Sequence, residues 1–400
     1  MKVADKILRR AGSPRQGRRV GASTRDVQAR ERERAPRRGR PADPAPLMPP
    51  RDRFAQLDVL RGLAALVVIG AHYSSHGVRV DGFRHGLDLL YAFHAVELFF
   101  MLSGFAILLT LERSPDWRLF VFSRVTRLYP AYWAALTLTV VGQRVFFGYP
   151  VWLTGYVVNL TMLQEFLGFP NIDNVFWALT VQVAFYAIMG SVSAAGLLPH
   201  IERVAGGWLA AASLWALAQQ RLGLQLPTLL DRLFVLRAAP YFILGLLAYR
   251  LVTRGVTPAR LALGLAALAA AGWIDDYPGD GLAAVGAVDG LHRVGVATLL
   301  VSLVGLALAG KLRVITSPVT LWLGAISYSL YLSHRNLGYA TIDRLHAAGL
   351  PAWAIMLLTV TGAVALGTAL TYLVERPALR ALRQWQPRQR AQPTGTAGAG

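Results

Sequence analysis

The sequence has no cysteine among its 400 residues, which excludes disulfides, thiolate nucleophiles and thiolate metal ligands. Charge is scarce as well. Only 16% of residues are Asp, Glu, Lys or Arg, against 54% hydrophobic, and the mean hydropathy is +0.41. Such a chain is too apolar for an ordinary soluble domain and reads as an all-α polytopic membrane protein. Acidic residues are the rarest charged class, 22 against 41 Lys and Arg, for a net charge of +19. In a soluble protein that balance points to nucleic acid. Here the basic residues sit in the two tails and in alternate short loops, so they report topology, and nucleic acid is not expected as a partner. The first fifty residues also lack the apolar stretch of a cleavable signal peptide, so the first spanning helix is expected to stay in the mature protein.

What is present falls into three parts. Residues 1–53 are rich in Arg, Pro, Gly and Ala and nearly empty of aromatics, a composition that cannot bury a core; a disordered basic tail is expected, suited to anionic lipid. Residues 54–380 form the membrane domain, and residues 381–400 a polar, disordered tail. Windows long enough to cross a hydrocarbon layer of ~30 Å lie near 57–77, 89–110, 128–147, 174–197, 206–222, 234–252, 259–274, 293–310, 319–338 and 352–374. A bundle of about ten helices with both termini cytoplasmic places Arg113, Arg118, Arg124, Arg127, Arg203, Arg250, Arg254, Arg260, Lys311, Arg313, Arg376, Arg380 and Arg383 inside. Asp275, Asp276, Asp280 and Asp289 then lie in an outer loop. No internal repeat is visible, and no appended soluble domain is expected.

The first window, LDVLRGLAALVVIGAH, places Arg61 and His72 in an otherwise apolar run. Eleven positions on a helix bring two side chains to nearly the same face, roughly 16 Å apart along the axis. Ionisable groups inside a membrane are costly and usually functional, so the pair suggests a ligand with an anionic head near Arg61 and a reactive group near His72. The plainer alternative has Arg61 snorkelling to lipid headgroups and His72 in an interhelical hydrogen bond.

Further polar groups interrupt later windows. Glu97 follows His94 by three residues in FHAVELFFMLSGFAILL; it either orients His72 and favours its imidazolium or forms a packing pair with His94. Ser103-Gly104 reads first as close helix packing, there being no strained nucleophile elbow around the serine. Arg124 and Arg127, at i and i+3 in FSRVTRLYPAYW, can fork onto a phosphate or act as topology determinants. FWALTVQVAFYAI carries Trp177, Gln182 and Tyr186, mixing interfacial aromatics with one buried amide. LGAISYSLYLSH puts Tyr328 and Tyr331 on one face with His334 near the outer end. His76 lies four residues after His72, but no third ligand stands on a matching helix, so no metal is expected.

Six segments in order, LDVLRGLAALVVIGAH, ELFFMLSGFAI, FVFSRVTRLYPAYW, FWALTVQVAFYAI, LGAISYSLYLSH and YLVERP with its Glu375, resemble the acyltransferase-3 family from about Phe54 to Arg380. The resemblance implies transfer of an acyl group, commonly acetyl, from acyl-CoA as co-substrate to a hydroxyl of a carbohydrate, glycolipid or secondary metabolite, with no bound cofactor. It implies a bacterial cytoplasmic membrane location. His72 matches the family's proposed base, Arg61 the arginine of the same motif, and Arg124 and Arg127 its two donor-side arginines. Glu97 stands where the family usually has Asp. Ala178 and Gln182 stand in the segment where it usually has Ser and a Glu. A neutral amide neither acts as a base nor holds a counter-charge. The rival readings are a transporter or flippase, against which the lack of matching halves argues, and a catalytically silent relative.

Overall fold

The computed structural model describes residues 51–79, 94–224, 228–274 and 290–383. The expected N-terminal tail up to residue 50, the acidic loop from Asp275 to Asp289 and the chain beyond residue 383 lie outside the described residues. Within them the protein is all-helical, and every element belongs to one compact unit, Leu47–Gly400.

In chain order the α-helices are α1 Arg51–Arg79, α2 Ala95–Arg113, α3 Trp117–Phe147, α4 Leu153–Asn159, α5 Trp177–Ala194, α6 Ile201–Leu222 and α7 Thr228–Leu233. They continue as α8 Ala239–Arg254, α9 Pro258–Trp273, α10 Gly290–Leu308, α11 Pro318–Ser333, α12 Arg335–Ala347, α13 Ala352–Leu370 and α14 Arg376–Arg383. A π-helical turn, Thr371–Glu375, joins the last two. Each of the ten windows falls mainly on helix. Among the described residues, five stretches are long and apolar enough to cross a membrane: Phe54–Gly77, Ala95–Arg113, Asn174–Ala194, Gly290–Leu308 and Ala352–Leu382.

Local chemistry sets the helix ends. Asp116 caps α3 by accepting from the backbone N–H groups of Arg118 and Leu119, and Gly148 closes it in the left-handed region. Ser317 and Thr320 form a reciprocal capping box on α11, with Pro318 at its first position. The window 319–338 differs from expectation: α11 ends at Ser333 and α12 begins at Arg335, so the chain bends at His334.

Packing fixes relative directions. Gly324 of α11 lies against the Asp58 backbone of α1, while at the other end the Tyr73 hydroxyl donates to the His334 carbonyl at 2.8 Å. Hence α1 and α11 run parallel. Phe100 meets Phe242 with ring centroids at 5.0 Å, and Tyr249 donates to Glu112 at 2.9 Å, so α2 and α8 are parallel too. Gly104 and Gly245 let those two backbones touch: a Cβ on either would strike a carbonyl oxygen of the partner helix, Phe242 or Met101. Phe185 stacks on Phe242 at 3.9 Å in the middle of the main core. Large apolar side chains such as Leu265 on α9, Leu299 on α10 and Leu357 on α13 stay exposed, as lipid-facing residues do.

Ion pairs tie both poles. Arg250, at the end of α8, meets Glu112 at 2.6 Å and Glu202 at 3.8 Å; Glu202 also accepts from Arg260 at 2.8 Å, joining α2, α6, α8 and α9. At the opposite pole Arg232 pairs with Glu165, and Arg237 with Asp231 at 2.6 Å.

Candidate functional site

A cavity of about 800 Å3 runs between α1, α2, α3, α5, α11 and the π-helical turn. Arg61 from α1, Arg124 and Arg127 from α3, and Arg376 from the start of α14 all lie in its wall. Four guanidinium groups around one space form an anion site by composition. Among the described residues, only Arg61 of the four pairs with a carboxylate. Arg61 reaches Asp58 at 3.3 Å, one turn before it, and Arg124 lies 5.4 Å from the Phe120 ring and 5.9 Å from that of Tyr186. The buried carboxylate of Glu375 also lines the cavity, held by the Ser329 hydroxyl at 3.0 Å. It sits in the π-helical turn, a distortion that often marks functional positions.

Ser103, Gln182, Tyr186, Tyr328 and Tyr331 are also in the lining, so the structure gathers most of the sequence candidates here. Ser103 donates to Gln182 Oε1 at 2.7 Å, joining α2 to α5. That bond leaves the Gln182 amide nitrogen buried with no hydrogen-bond partner among the described residues. Tyr328 donates to the Leu128 carbonyl at 2.9 Å, and Tyr331 to that of Val175 at 3.1 Å. Trp177 is placed otherwise: it packs edge-on against Phe100 and is not among the cavity walls.

His72 is not in the wall either. It sits beyond the end formed by Phe99 and Tyr331, whose rings are 6.0 Å apart. Tyr331 is 5.7 Å from the His334 ring, and His334 is 5.1 Å from the ring of His72. The bend between α11 and α12 is what turns His334 toward α1. On its other side His72 Nδ1 shares a hydrogen bond of 3.1 Å with the Tyr339 hydroxyl. Tyr339 in turn stacks on His76 at 3.9 Å, and His76 bonds Asp343 at 2.8 Å. The Arg335 guanidinium lies 5.0 Å from the Tyr339 ring and 3.7 Å from Asp173, which also accepts from the backbone N–H groups of Asn336 and Val175. Burial pushes the Asp173 carboxyl above the usual carboxylate range, against the pull of Arg335 and those two N–H groups.

Glu97 is bonded to His94 at 2.9 Å. It is not in the cavity wall, to which α2 gives Val96, Phe99, Phe100, Leu102, Ser103, Ala106 and Ile107. Sequence reasoning missed Asp58, Arg376, Arg335, Tyr339 and Asp173. Two of these carried a signal: Asp58 precedes Arg61 by one turn, and Arg335-Asn336 follows His334 directly.

The sequence profile of the acyltransferase-3 family, described as an acyltransferase domain, matches residues 54–376. No curated protein and no solved structure matches the chain. The matched stretch holds the four arginines of the cavity, His72 and His334 alike, and covers most of the 400 residues. The chain therefore belongs to the acyltransferase-3 family of membrane O-acyltransferases.

Proposed function

We propose that the protein moves an acyl group, acetyl in the first instance, from acyl-CoA to a hydroxyl of a carbohydrate, glycolipid or secondary metabolite. It does so in a bacterial cytoplasmic membrane. The observation that carries this reading is the arginine-lined cavity whose far end, at Phe99 and Tyr331, adjoins a pair of buried histidines. Arg61, Arg124 and Arg127 take the donor's phosphates, with Arg376 beside them, and the pantetheine arm runs along the cavity toward Tyr331. His72 accepts the proton of the acceptor hydroxyl as the oxygen attacks the thioester carbonyl. The Tyr339 oxygen at Nδ1 supports the imidazolium, and Glu97, paired with His94 on α2, is the carboxylate assigned to favour it.

Ten crossings with both termini cytoplasmic put the arginine end of the cavity on the side where acyl-CoA is made. The parallel pairs support this count. In an up-and-down bundle the first and ninth crossings run the same way, as α1 and α11 do. So do the second and sixth, as α2 and α8 do.

The test is turnover of labelled acetyl-CoA by the purified protein, read as thioester hydrolysis or acyl transfer. His72→Ala is expected to abolish it in protein that stays folded in the membrane. Arg61→Ala is expected to weaken acyl-CoA binding by about tenfold or more, the loss of one charge-assisted contact. Full activity in the first variant or unchanged affinity in the second refutes the corresponding role. Absence of any turnover in the wild-type protein favours a transporter or a silent relative. Comparing the glycans, lipids and metabolites of cells with and without the protein by mass spectrometry then identifies the acceptor through its lost acyl mass.

A further inference from the structure

Acyl transfer moves one proton from the acceptor hydroxyl to the sulfur that leaves. His72 accounts for the first half of that journey only. In a low-dielectric interior, a thiolate left beside an imidazolium is a separated pair of charges without water to solvate either. A single histidine returns such a proton itself where it touches both oxygen and sulfur, but His72 stands outside the cavity wall, so a carrier nearer the donor shortens the proton's way back.

His334 has the geometry for it. It is fully buried at the bend between α11 and α12, and its backbone is held there by the Tyr73 hydroxyl at 2.8 Å. Its Nδ1 lies 2.7 Å from the carbonyl oxygen of Tyr331. A carbonyl only accepts, so Nδ1 carries the hydrogen and the lone pair belongs to Nε2. That Nε2 is buried and has no hydrogen-bond partner among the described residues. Buried acceptors are rarely left so without a use. The ring stands 5.1 Å from His72 on one side and 5.7 Å from Tyr331, a wall of the donor cavity, on the other. His334 thus stands beside the base and behind a wall residue of the cavity assigned to the donor.

We propose that His334 is a second catalytic histidine, carrying the acceptor's proton from His72 to the departing thiolate; the proposal rests on the acyl-CoA reading above. The O–H bond of the acceptor breaks, its proton going to His72 while the oxygen bonds to the thioester carbonyl carbon. The C–S bond then breaks with its electron pair on sulfur. The His72 imidazolium gives its proton to His334 Nε2, and His334 gives it to the thiolate, so both histidines end neutral and the thiol is released. Nδ1 keeps its own hydrogen on the Tyr331 carbonyl throughout. One nitrogen performs both transfers, and the ring needs no flip.

The full chain in detergent is assayed as wild type, His334→Gln and His72→Gln, with water as acceptor. The donors are acetyl-CoA and its selenoester analogue. A selenol is far more acidic than a thiol, so the selenolate leaves without needing a proton. Glutamine fills much of the imidazole's volume and still hydrogen-bonds, but it does not take up a proton. His334→Gln is expected to slow thioester turnover about 100-fold, the scale of general acid–base catalysis, and selenoester turnover by less than about tenfold. His72→Gln is expected to slow both. Equal loss on the two donors in His334→Gln overturns the relay and leaves the acyl-CoA reading standing. Undiminished turnover of both donors by His72→Gln, or no turnover by the wild type, overturns the acyl-CoA reading itself. Should His334→Gln not purify as a monodisperse protein, the wild type decides in mixtures of H2O and D2O. A bowed dependence of rate on deuterium content, from two protons in transit, supports the relay, and a straight line refutes it.

Discussion

Gln182 stands in the segment where the family resemblance leads one to expect a glutamate, and its surroundings say what an amide there does. With Oε1 accepting from Ser103 at 2.7 Å, the amide presents a buried N–H donor at the cavity wall, where a glutamate would present an acceptor and a charge. The natural use of such a donor is a carbonyl of the bound substrate. Gln182→Glu keeps the shape and the bond from Ser103 but removes the donor, costing about 1–2 kcal/mol and so roughly tenfold in kcat/KM for acetyl-CoA. Steady-state kinetics check this. A rise in turnover would mean that charge, not the N–H group, is what the position supplies. Other wall residues were legible in sequence because polarity in an apolar run is expensive: Arg61, Arg124, Arg127, Gln182 and the tyrosines all interrupt such runs. Arg376 in the wall and Arg335 beyond it were not, since an arginine near a helix end reads equally well as a topology marker. Tyr339 looked ordinary because its partner His72 is 267 positions away.

Among the elements, the contact between α2 and α8 is the one most sensitive to a single atom. A methyl group on Gly245 meets the Met101 carbonyl oxygen, which belongs to a helix backbone that has no rotamer to yield with. Gly245→Ala is therefore expected to destabilise by about 1–3 kcal/mol through overpacking, despite alanine's better helix propensity. The control is Gly305→Ala on α10, where the added methyl meets nothing within 4 Å and propensity alone stabilises by up to about 1 kcal/mol. Thermal unfolding of the two variants in the same detergent separates these signs, and a Gly245→Ala protein as stable as the wild type would contradict the packing. The sequence foresaw small-residue packing at Ser103-Gly104, because Gly in a spanning helix has few other uses. It did not foresee the break of α11 at His334. No proline or glycine marks that bend, and His334 itself keeps helical dihedrals, φ −77° and ψ −39°. Only the pull of Tyr73 and Tyr331 on the His334 backbone and ring shows where the chain turns.

For the whole molecule, the absence of cysteine that excluded so much chemistry also makes the topology measurable, because one introduced thiol is the only thiol. The proposed ten crossings would put the ends of α8 and α10 on the cytoplasmic side, and the connections after α3 and α12 on the outer side. Arg254, Lys311, Leu167 and Ala348 are exposed at these four places, so substitution by cysteine disturbs no buried partner. In intact cells a membrane-impermeant maleimide is expected to label Leu167→Cys and Ala348→Cys at once. Arg254→Cys and Lys311→Cys should label only after the membrane is opened. The pattern is demanding because α1 and α11 must run the same way, as must α2 and α8, so an odd number of crossings lies between the members of each pair. Immediate labelling at Lys311→Cys would place the arginine end of the cavity outside. The donor would then have to be an extracytoplasmic anion rather than acyl-CoA, even with every residue of the site where it now stands.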